Sequence, residues 1–536
     1  MYSNNRSVIQ LAALLRAHGI EDVVLCPGSR NVPIVETLGS NSEFRCHAVT
    51  DERSAAFFAL GLAQRSGRPA VVCCTSGTAL LNIHPAVAEA FYQQIPLVVV
   101  SADRPRAWIG QMDGQTLPQG GVFNGLVGCA VDLPEIHTEE DEWFVNRLIN
   151  EALLATDHHR PSPVHINIPL AEPLFGFIEG EIPAVRAIHR HSSFDEQLRA
   201  KAQGLCRVMV VVGQMPRRDA LQSDDRVVWL GEHLANQEGV IANFDAVLYA
   251  ADDEEMESLR PDLLISLGGH VVSKRVKKFL RKYPPREHWY VSPRGEVVDL
   301  FQCLSEVVEM PIEEFLTKID SLEVDPQYRQ TWLAHSERIA TPEFPYSEMA
   351  AVGELMRSMP QGAVLHLANS SVVRYAQLFP LKEGVEVNCN RGTSGIEGSM
   401  STAVGYASES DRPNFLVIGD LSFFYDMNAL WNDHVSKNLR ILLLNNGGGE
   451  IFHTLPGLKI QSTAQRYVVA DHRTSARGWA EERGFEYLEA NTEEQLRETI
   501  QRFTSNGKVS RPVLLEVFTE RDADTRALKE YYHNLK

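Results

Sequence analysis

Gly419-Asp420-Leu421-Ser422-Phe423-Phe424-Tyr425-Asp426-Met427-Asn428, followed further on by Asn445-Asn446-Gly447-Gly448, decides how this chain is read. The apolar run Phe415-Leu416-Val417-Ile418 predicts a buried strand. That sets Asp420 at its carboxyl end, where a parallel α/β sheet opens its ligand crevice. A second run, Ile441-Leu442-Leu443-Leu444, ends the same way in Asn445-Asn446, and the interval leaves room for one crossover helix. Two adjacent strands thus deliver hard oxygen ligands to one place. Magnesium takes near-octahedral oxygen coordination, commonly one carboxylate, neutral oxygens, water and substrate phosphates. The Asp420 carboxylate, the Asn446 amide and the Gly448 carbonyl make such a set, which also suits manganese. Taken singly, an Asp at a helix start is an N-cap and Asn-Gly is a turn. Their pairing is what points to a metal-diphosphate site.

The chain is too long, at 536 residues, for a single core. Its net charge of −19 argues against nucleic acid or an anionic membrane as partner, and it makes any local cluster of Arg more pointed. No apolar run approaches the roughly 20 residues of a membrane span, and the opening Met1-Tyr2-Ser3-Asn4-Asn5-Arg6 lacks a signal-peptide core, so a cytoplasmic protein is expected. The eight Cys include no Cys-x-x-Cys pair, and Cys73-Cys74 lie inside an apolar run, so they read as buried thiols.

Alternation of apolar runs with helical patterns predicts an α/β protein of three doubly wound parallel-sheet domains. Residues 1–175 carry runs at Val23–Cys26, Arg45–Val49, Ala70–Cys74 and Leu97–Val100, with helical patterns at Ser54–Gln64 and Ala86–Gln93. A Pro, Gly, His and Ser-rich stretch, Pro173–Ser193, reads as a linker. Residues 190–335 form a central region with strands at Val208–Val212, Val227–Leu230, Leu263–Leu267 and Trp289–Val291. Residues 343–536 add Val364–Leu367, Val385–Cys389, the two metal-bearing strands and Val513–Val517.

The pairing of Gly-Asp with Asn-Asn resembles the signature of thiamine-diphosphate-dependent enzymes. Leu421 stands where the general pattern has a third Gly, and Gly-Asp-Leu-Ser with Tyr425-Asp426-Met427-Asn428-Ala429-Leu430 resembles one branch. That branch is the 2-succinyl-5-enolpyruvyl-6-hydroxy-3-cyclohexene-1-carboxylate synthases of menaquinone biosynthesis. The resemblance implies a pyrimidine-binding, a central and a diphosphate-binding domain, thiamine diphosphate with Mg2+ or Mn2+, and a homodimer or homotetramer whose active sites are shared between chains. It implies 2-oxoglutarate and isochorismate as substrates: decarboxylation of the first gives a succinyl-semialdehyde carbanion that adds to the second. Another thiamine-diphosphate 2-oxoacid decarboxylase, or a non-catalytic nucleotide-binding regulator, is the alternative. No Gly-x-Gly-x-x-Gly follows a first strand to favour the latter.

Further motifs extend the resemblance. Asp51-Glu52-Arg53 opens a helix after Arg45–Val49 and matches the branch's Asp-Glu-Arg, which places Glu52 as the catalytic acid that activates the cofactor's aminopyrimidine. An acid balancing the helix dipole is the plainer reading of the same residue. Cys26-Pro27-Gly28-Ser29-Arg30 offers N–H groups, a hydroxyl and a guanidinium, a combination fitted to a carboxylate. Resemblance puts Arg30 near the substrate, with Arg104 of Ser101-Ala102-Asp103-Arg104-Pro105 and with Gln115, although Gly114 stands where the branch has an Asn. Asn369-Ser370-Ser371-Val372-Val373-Arg374 and Asn390-Arg391-Gly392-Thr393-Ser394-Gly395-Ile396 imply Ser370, Arg374 and Arg391 facing substrate carboxylates, and Ile396 as the wedge that bends the cofactor. Ile396 reads equally as core. Cofactor contacts are implied for Ser370, Asp420, Leu421, Ser422, Asn446, Gly448 and Ile451, and substrate contacts for Phe452, Leu455 and Lys274. Lys274 lies in a basic run with Arg275, Lys277, Lys278, Arg281 and Lys282 that also reads as a solvated helix face. Several Arg on an acidic protein suit a pair of dicarboxylate substrates and exceed what pyruvate needs.

Overall fold

The computed structural model describes residues 1–217, 225–449, 463, 467–505 and 510–536. It divides into two compact units, Met1–His191 with Gly295–Val307, and Ser192–Arg294 with Val308–Lys536.

In the first unit the strands are β1 (Tyr2–Ser3), β2 (Asp22–Leu25), β3 (Arg45–Ala48), β4 (Ala70–Cys74), β5 (Leu97–Asp103), β6 (Cys129–Asp132), β7 (Val164–Pro169), β8 (Phe177–Ile178) and β9 (His189–His191). Six of them form a parallel sheet ordered β3-β2-β4-β5-β7-β6. Every residue of β4, β5 and β7 is buried, as expected where helices cover both faces; β4 is a continuous apolar run, while the polar Ser101, Asp103, His165 and Asn167 of β5 and β7 hydrogen-bond to one another. The edge strand β3 is exposed and carries Arg45, which pairs with Asp22 and Glu21, a charged edge that discourages further pairing. The segment expected to be a linker contains β8, which pairs antiparallel with β1.

Helix Glu52–Ser66 starts where predicted: the Asp51 carboxylate accepts the Ser54 N–H at 2.8 Å and Gly67 closes the other end in the left-handed conformation. The next helix, Thr78–Gln93, begins well before the expected Ala86 and runs through Pro85. Its buried stripe Ala79, Leu80, Ile83, Ala86, Val87 and Ala90 follows helical spacing, and that packing outweighs the hydrogen bond the proline removes.

The second unit holds two more parallel sheets. The first contains β10 (Val208–Val212), β11 (Val228–Gly231), β12 (Leu263–Leu267) and β13 (Glu287–Val291), in the order β11-β10-β12-β13. After β14 (Glu306–Val308) come β15 (Val364–Leu367), β16 (Glu386–Cys389), β17 (Asn414–Gly419), β18 (Leu439–Asn445), β19 (Glu486–Ala490) and β20 (Val513–Phe518). These last six form a parallel sheet ordered β16-β15-β17-β18-β20-β19. The strand order reverses between β15 and β17, so the crevice beyond their carboxyl ends lies between Asn369-Ser370 and Gly419-Asp420. The connection from β17 to β18 is shorter in helix than expected, a single turn and a half (Asp420–Tyr425) followed by a 3-10 turn (Met427–Leu430).

Loops of the middle sheet are bonded to the last one. Gln214 Nε2 donates to Cys389 O at 2.8 Å, and Asn236 forms a two-way bridge with the Val387 backbone, at 2.9 and 2.7 Å. Arg275 pairs with Asp245 while its guanidinium lies 4.8 Å from the Tyr249 ring and 4.3 Å from that of Tyr532, on the C-terminal helix Arg521–Asn534.

The ends of β10 and β12 approach so closely that Gly213 is required. A Cβ there would stand 2.1 Å from Gly269 O. Gly213→Ala is therefore expected to destabilise the protein by about 1–3 kcal/mol or more, because backbone must move to admit the methyl. Gly478→Ala, in helix Arg477–Glu482 with nothing near its added Cβ, is expected to be neutral or to stabilise by up to ~1 kcal/mol. Melting temperatures of the two variants check the contrast; an unchanged value for Gly213→Ala would contradict the crowding argument.

Candidate active site

Asp420 is nearly fully buried at the carboxyl end of β17. A buried carboxylate requires donors or a cation. Its Oδ1 accepts the Leu421 N–H at 2.6 Å, and its Oδ2 accepts the N–H groups of Gly447 and Gly448 at 2.8 and 3.0 Å. The two halves of the sequence motif thus meet directly. Of the two asparagines after β18, Asn445 turns into the core, donating to Glu516 Oε1 at 2.7 Å and to Thr474 O at 2.9 Å. Asn446 instead donates through Nδ2 to the buried Glu348 at 3.0 Å. That bond fixes which way the amide points and leaves Oδ1 as the acceptor, here taking the Gly448 N–H at 3.2 Å.

Gly448 has φ +154, and a Cβ on it would lie 2.9 Å from Val469 O and 3.0 Å from Arg521 Nη1. The chain therefore passes the carboxylate with only backbone exposed. His472 Nε2 stands 3.3 Å from Asp420 Oδ2, buried and without a hydrogen-bond partner. Its Nδ1 accepts the Thr474 N–H at 3.1 Å, so in the neutral ring the proton is on Nε2, facing Asp420. A buried carboxylate, an amide oxygen oriented by its Nδ2 donating to a second carboxylate, and a turn of glycines are a donor set that fits a divalent metal carrying a diphosphate.

Across the crevice, Asn369 ties two loops together. Its Nδ2 donates to Asn390 O and Gly395 O at 2.8 and 2.7 Å, and its Oδ1 accepts from Arg391 Nη1 at 2.8 Å. Arg391 Nε is buried with no hydrogen-bond partner among the described residues. Arg374 Nη1 donates to Ser370 O, and burial together with the nearby Arg391 charge holds the Arg374 guanidinium below its ordinary pKa. Ser370 has φ +73 and Ser394 +62, a region costly for residues with a side chain. Ser422 Oγ donates to Ile396 O, while the Ile396 side chain is exposed rather than part of the core.

Helix Lys274–Lys282 brings its cations alongside. Lys274 is exposed at its first turn, on a groove of about 520 Å³ lined by Lys274, Lys277, Lys278, Arg281 and Lys282. Lys277 is half-buried. Burial pushes its ammonium below the ordinary range, Glu232 opposes this, and Arg391, Arg281 and Arg374 reinforce it. It therefore shares a field with both site arginines. Arg275, from the same basic run, faces Asp245 and Tyr532.

In the first unit Glu52 occupies the first turn of its helix, partly buried. It is close enough to Cys26 that, after burial, its charge is the next contribution pushing that thiol up to about 12. Arg30 is buried, Arg104 half-buried and Gln115 exposed with φ +57. Ile451, Phe452 and Leu455 lie outside the described residues.

Residues 8–122 match the family described as thiamine pyrophosphate enzyme, N-terminal TPP binding domain, and residues 187–361 the middle domain of thiamine pyrophosphate. Proteins named 2-succinyl-5-enolpyruvyl-6-hydroxy-3-cyclohexene-1-carboxylate synthase are similar over the full length. Those of Bacteroides fragilis and Bacteroides thetaiotaomicron are 57% and 58% identical, covering 100% of this chain and 100% of theirs. That of Flavobacterium psychrophilum is 38% identical, covering 99% of this chain and 98% of its own. The chain belongs to this synthase family. Thiamine diphosphate with a divalent metal is accordingly its cofactor.

Sequence reasoning missed Glu348, His472 and Lys277. Glu348 lies on a helix remote in sequence from the metal motif, and only the fold brings it to Asn446. Lys277 is indistinguishable from its neighbours until the middle sheet is bonded to the last. Glu348→Ala is expected to leave Asn446 free to rotate and to weaken metal affinity by about 10–100-fold in the presence of cofactor. Manganese titration followed by electron paramagnetic resonance checks this, and unchanged affinity would show that the Glu348 tether does not matter.

Proposed function

We propose that this chain decarboxylates 2-oxoglutarate and adds the resulting succinyl-semialdehyde carbanion to isochorismate. The products are carbon dioxide and 2-succinyl-5-enolpyruvyl-6-hydroxy-3-cyclohexene-1-carboxylate, in menaquinone biosynthesis and in the cytoplasm. The observation that carries this reading is the crevice where buried Asp420 and the tethered Asn446 stand across from Arg374 and Arg391. Among the described residues no helix is long and apolar enough to cross a membrane. The domain division 1–175, 190–335 and 343–536 is part of the reading.

Bound thiamine diphosphate supplies the electron sink for the carbon that loses carbon dioxide. The residues that would hold the metal are the Asp420 carboxylate, the Asn446 amide and the Gly448 carbonyl, with Leu421, Ser422, Ser370, Ile451 and the apolar Ile396 against the cofactor, and Glu52 would be the acid that serves its aminopyrimidine. Arg391, Arg374 and Lys277 take substrate carboxylates with Ser370, and Arg30, Arg104, Gln115 and Lys274 receive the rest, below Phe452 and Leu455. Arg391 supports this role with its buried Nε, an N–H that finds no acceptor among the described residues. Assaying carbon dioxide release and adduct mass with 2-oxoglutarate and isochorismate, against pyruvate, tests the activity; turnover of pyruvate alone would sink it.

Arg391→Ala is expected to lower kcat/KM for the dicarboxylate substrates by a factor corresponding to about 2–5 kcal/mol, while cofactor affinity is kept. Normal kcat/KM for both substrates would remove Arg391 from the clamp.

Assembly belongs to the same proposal: a symmetric dimer in which Glu52 of one chain serves the site built on Asp420 of the other. Exposed Phe57, Phe58 and Leu81 on the helices around Glu52, and exposed Tyr425 and Trp431 just after Asp420, support it as apolar surface wanting cover. Mixing inactive Glu52→Gln and Asp420→Ala proteins under subunit exchange should return roughly a quarter of wild-type activity, because half the dimers gain one intact site. Continued inactivity of verified mixed dimers that bind cofactor would refute shared sites.

A further inference from the structure

Three loops of the first unit converge beyond the carboxyl ends of neighbouring parallel strands. Arg30 follows β2, Arg104 follows β5 and Glu172 follows β7, with β5 and β7 paired side by side. Arg30 is held rigidly: its side chain is only 5% exposed and Nη1 donates to Leu170 O at 2.8 Å. Its Nη2 donates to Glu172 Oε1 at 3.3 Å, and Arg104 Nη1 lies 4.0 Å from that same oxygen. Asp113 Oδ2 stands 4.0 Å from Arg104 Nε. Both arginines keep a buried Nε with no hydrogen-bond partner among the described residues.

The two signs of charge are held very differently. The guanidiniums are buried or half-buried, whereas the Glu172 side chain is 72% exposed. One oxygen of an exposed carboxylate sits where two more deeply buried cations meet, at distances that make only one hydrogen bond. A carboxylate presenting both oxygens, in the fork geometry that guanidinium prefers, would satisfy donors that Glu172 leaves open. Exchange of one carboxylate for another also leaves the net charge of the cluster unchanged, so the arginines need never be buried without an anion.

We propose that Glu172 is an internal competitor for the substrate carboxylate. It occupies the Arg30–Arg104 pair when substrate is absent and swings into solvent when a substrate carboxylate arrives, so it sets the affinity of that subsite. The proposal rests on the reading above in which Arg30 and Arg104 bind substrate. Glu172 supplies no group to the reaction; it acts through the two arginines.

Removing the competing charge gives the test, on full-length protein loaded with thiamine diphosphate and magnesium. Because an exposed ion pair biases an equilibrium only modestly, Glu172→Gln and Glu172→Ala are each expected to lower KM for one of the two substrates about two- to fivefold, with kcat/KM rising by the same factor. Inorganic phosphate, a competing anion at the same pair, should inhibit both variants more strongly by a similar factor. A structural role for Glu172 predicts the reverse, a raised KM or a fall in kcat. Arg30→Ala and Arg104→Ala run alongside separate the two ideas. If these raise KM while both Glu172 variants leave KM and phosphate inhibition unchanged or weaken binding, the competitor proposal is overturned and the substrate reading stands. If the arginine variants leave KM unchanged, the substrate reading itself fails at this subsite.

Discussion

A carboxylate taken out of water at the end of a strand has to be met by donors, and the architecture around Asp420 follows from that requirement. Two of its three backbone partners come from Gly447 and Gly448 beyond the adjacent strand β18. The hydrogen bonds can form only if β17 and β18 are parallel neighbours in a register that ends them together, as the Gly419–Leu444 pairing does. They also require a turn without side chains, because a Cβ on Gly448 would strike the Val469 carbonyl. Asn446 then has one direction left to face, and Glu348 fixes it. Each partner of the carboxylate is thus constrained by a further contact.

The opposite wall of the crevice presents the converse problem. Arg374 and Arg391 repel each other, and Lys277 adds a third positive charge within their field. Like charges of this kind stay together only where the surrounding structure restrains them. Asn369 does so for Arg391, the Ser370 carbonyl for Arg374, and Glu232 for Lys277. Glu232 is itself buried, its carboxylate accepting the Val272 and Ser273 N–H groups at 2.7 and 2.6 Å. One buried acid therefore anchors the approach to the helix that carries Lys277 and moderates the cations it faces. The left-handed Ser370 belongs to the same account: a strained residue persists because the loops on both sides of it are over-determined by Asn369 and by helix Ser371–Ala376.

Much of this was legible in the sequence because the signals were local. Apolar runs marked the central strands β2, β4, β10, β12, β15, β17, β18 and β20 to within a residue or two, since a strand buried on both faces needs few polar residues. By contrast β6, β7, β14 and β19 were not foreseen, β7 because His165 and Asn167 interrupt its apolar pattern. The residues that close the strand ends, Asp420 and Asn446, could be picked out for the same reason. Helix Thr78–Gln93 begins eight residues before the expected Ala86 and runs through Pro85, because the buried stripe that holds its first turns is a tertiary fact. Glu348 and Lys277 were invisible for a different reason. Each is one acid or one lysine among many, and its meaning comes from a neighbour far away in the chain, reached only when the sheets are assembled. Lys274 and Lys277 lie one turn apart on one helix, yet burial and the placement of Arg391 separate them, and no spacing rule does.

The acidic balance of the chain makes these cation clusters more costly to misplace. With 70 Asp and Glu against 51 Lys and Arg, an arginine left mobile would find a carboxylate of its own chain before it found a substrate. Two solutions coexist in this fold. Arg391 is restrained by a neutral amide, and its Nε meets no carboxylate among the described residues. Arg30 is restrained by a backbone carbonyl but also carries an acidic partner on the solvent side. The first arrangement favours affinity, since nothing opposes the entering anion. The second keeps a buried cation neutralised at rest, and its exposed partner is one that an incoming carboxylate can replace.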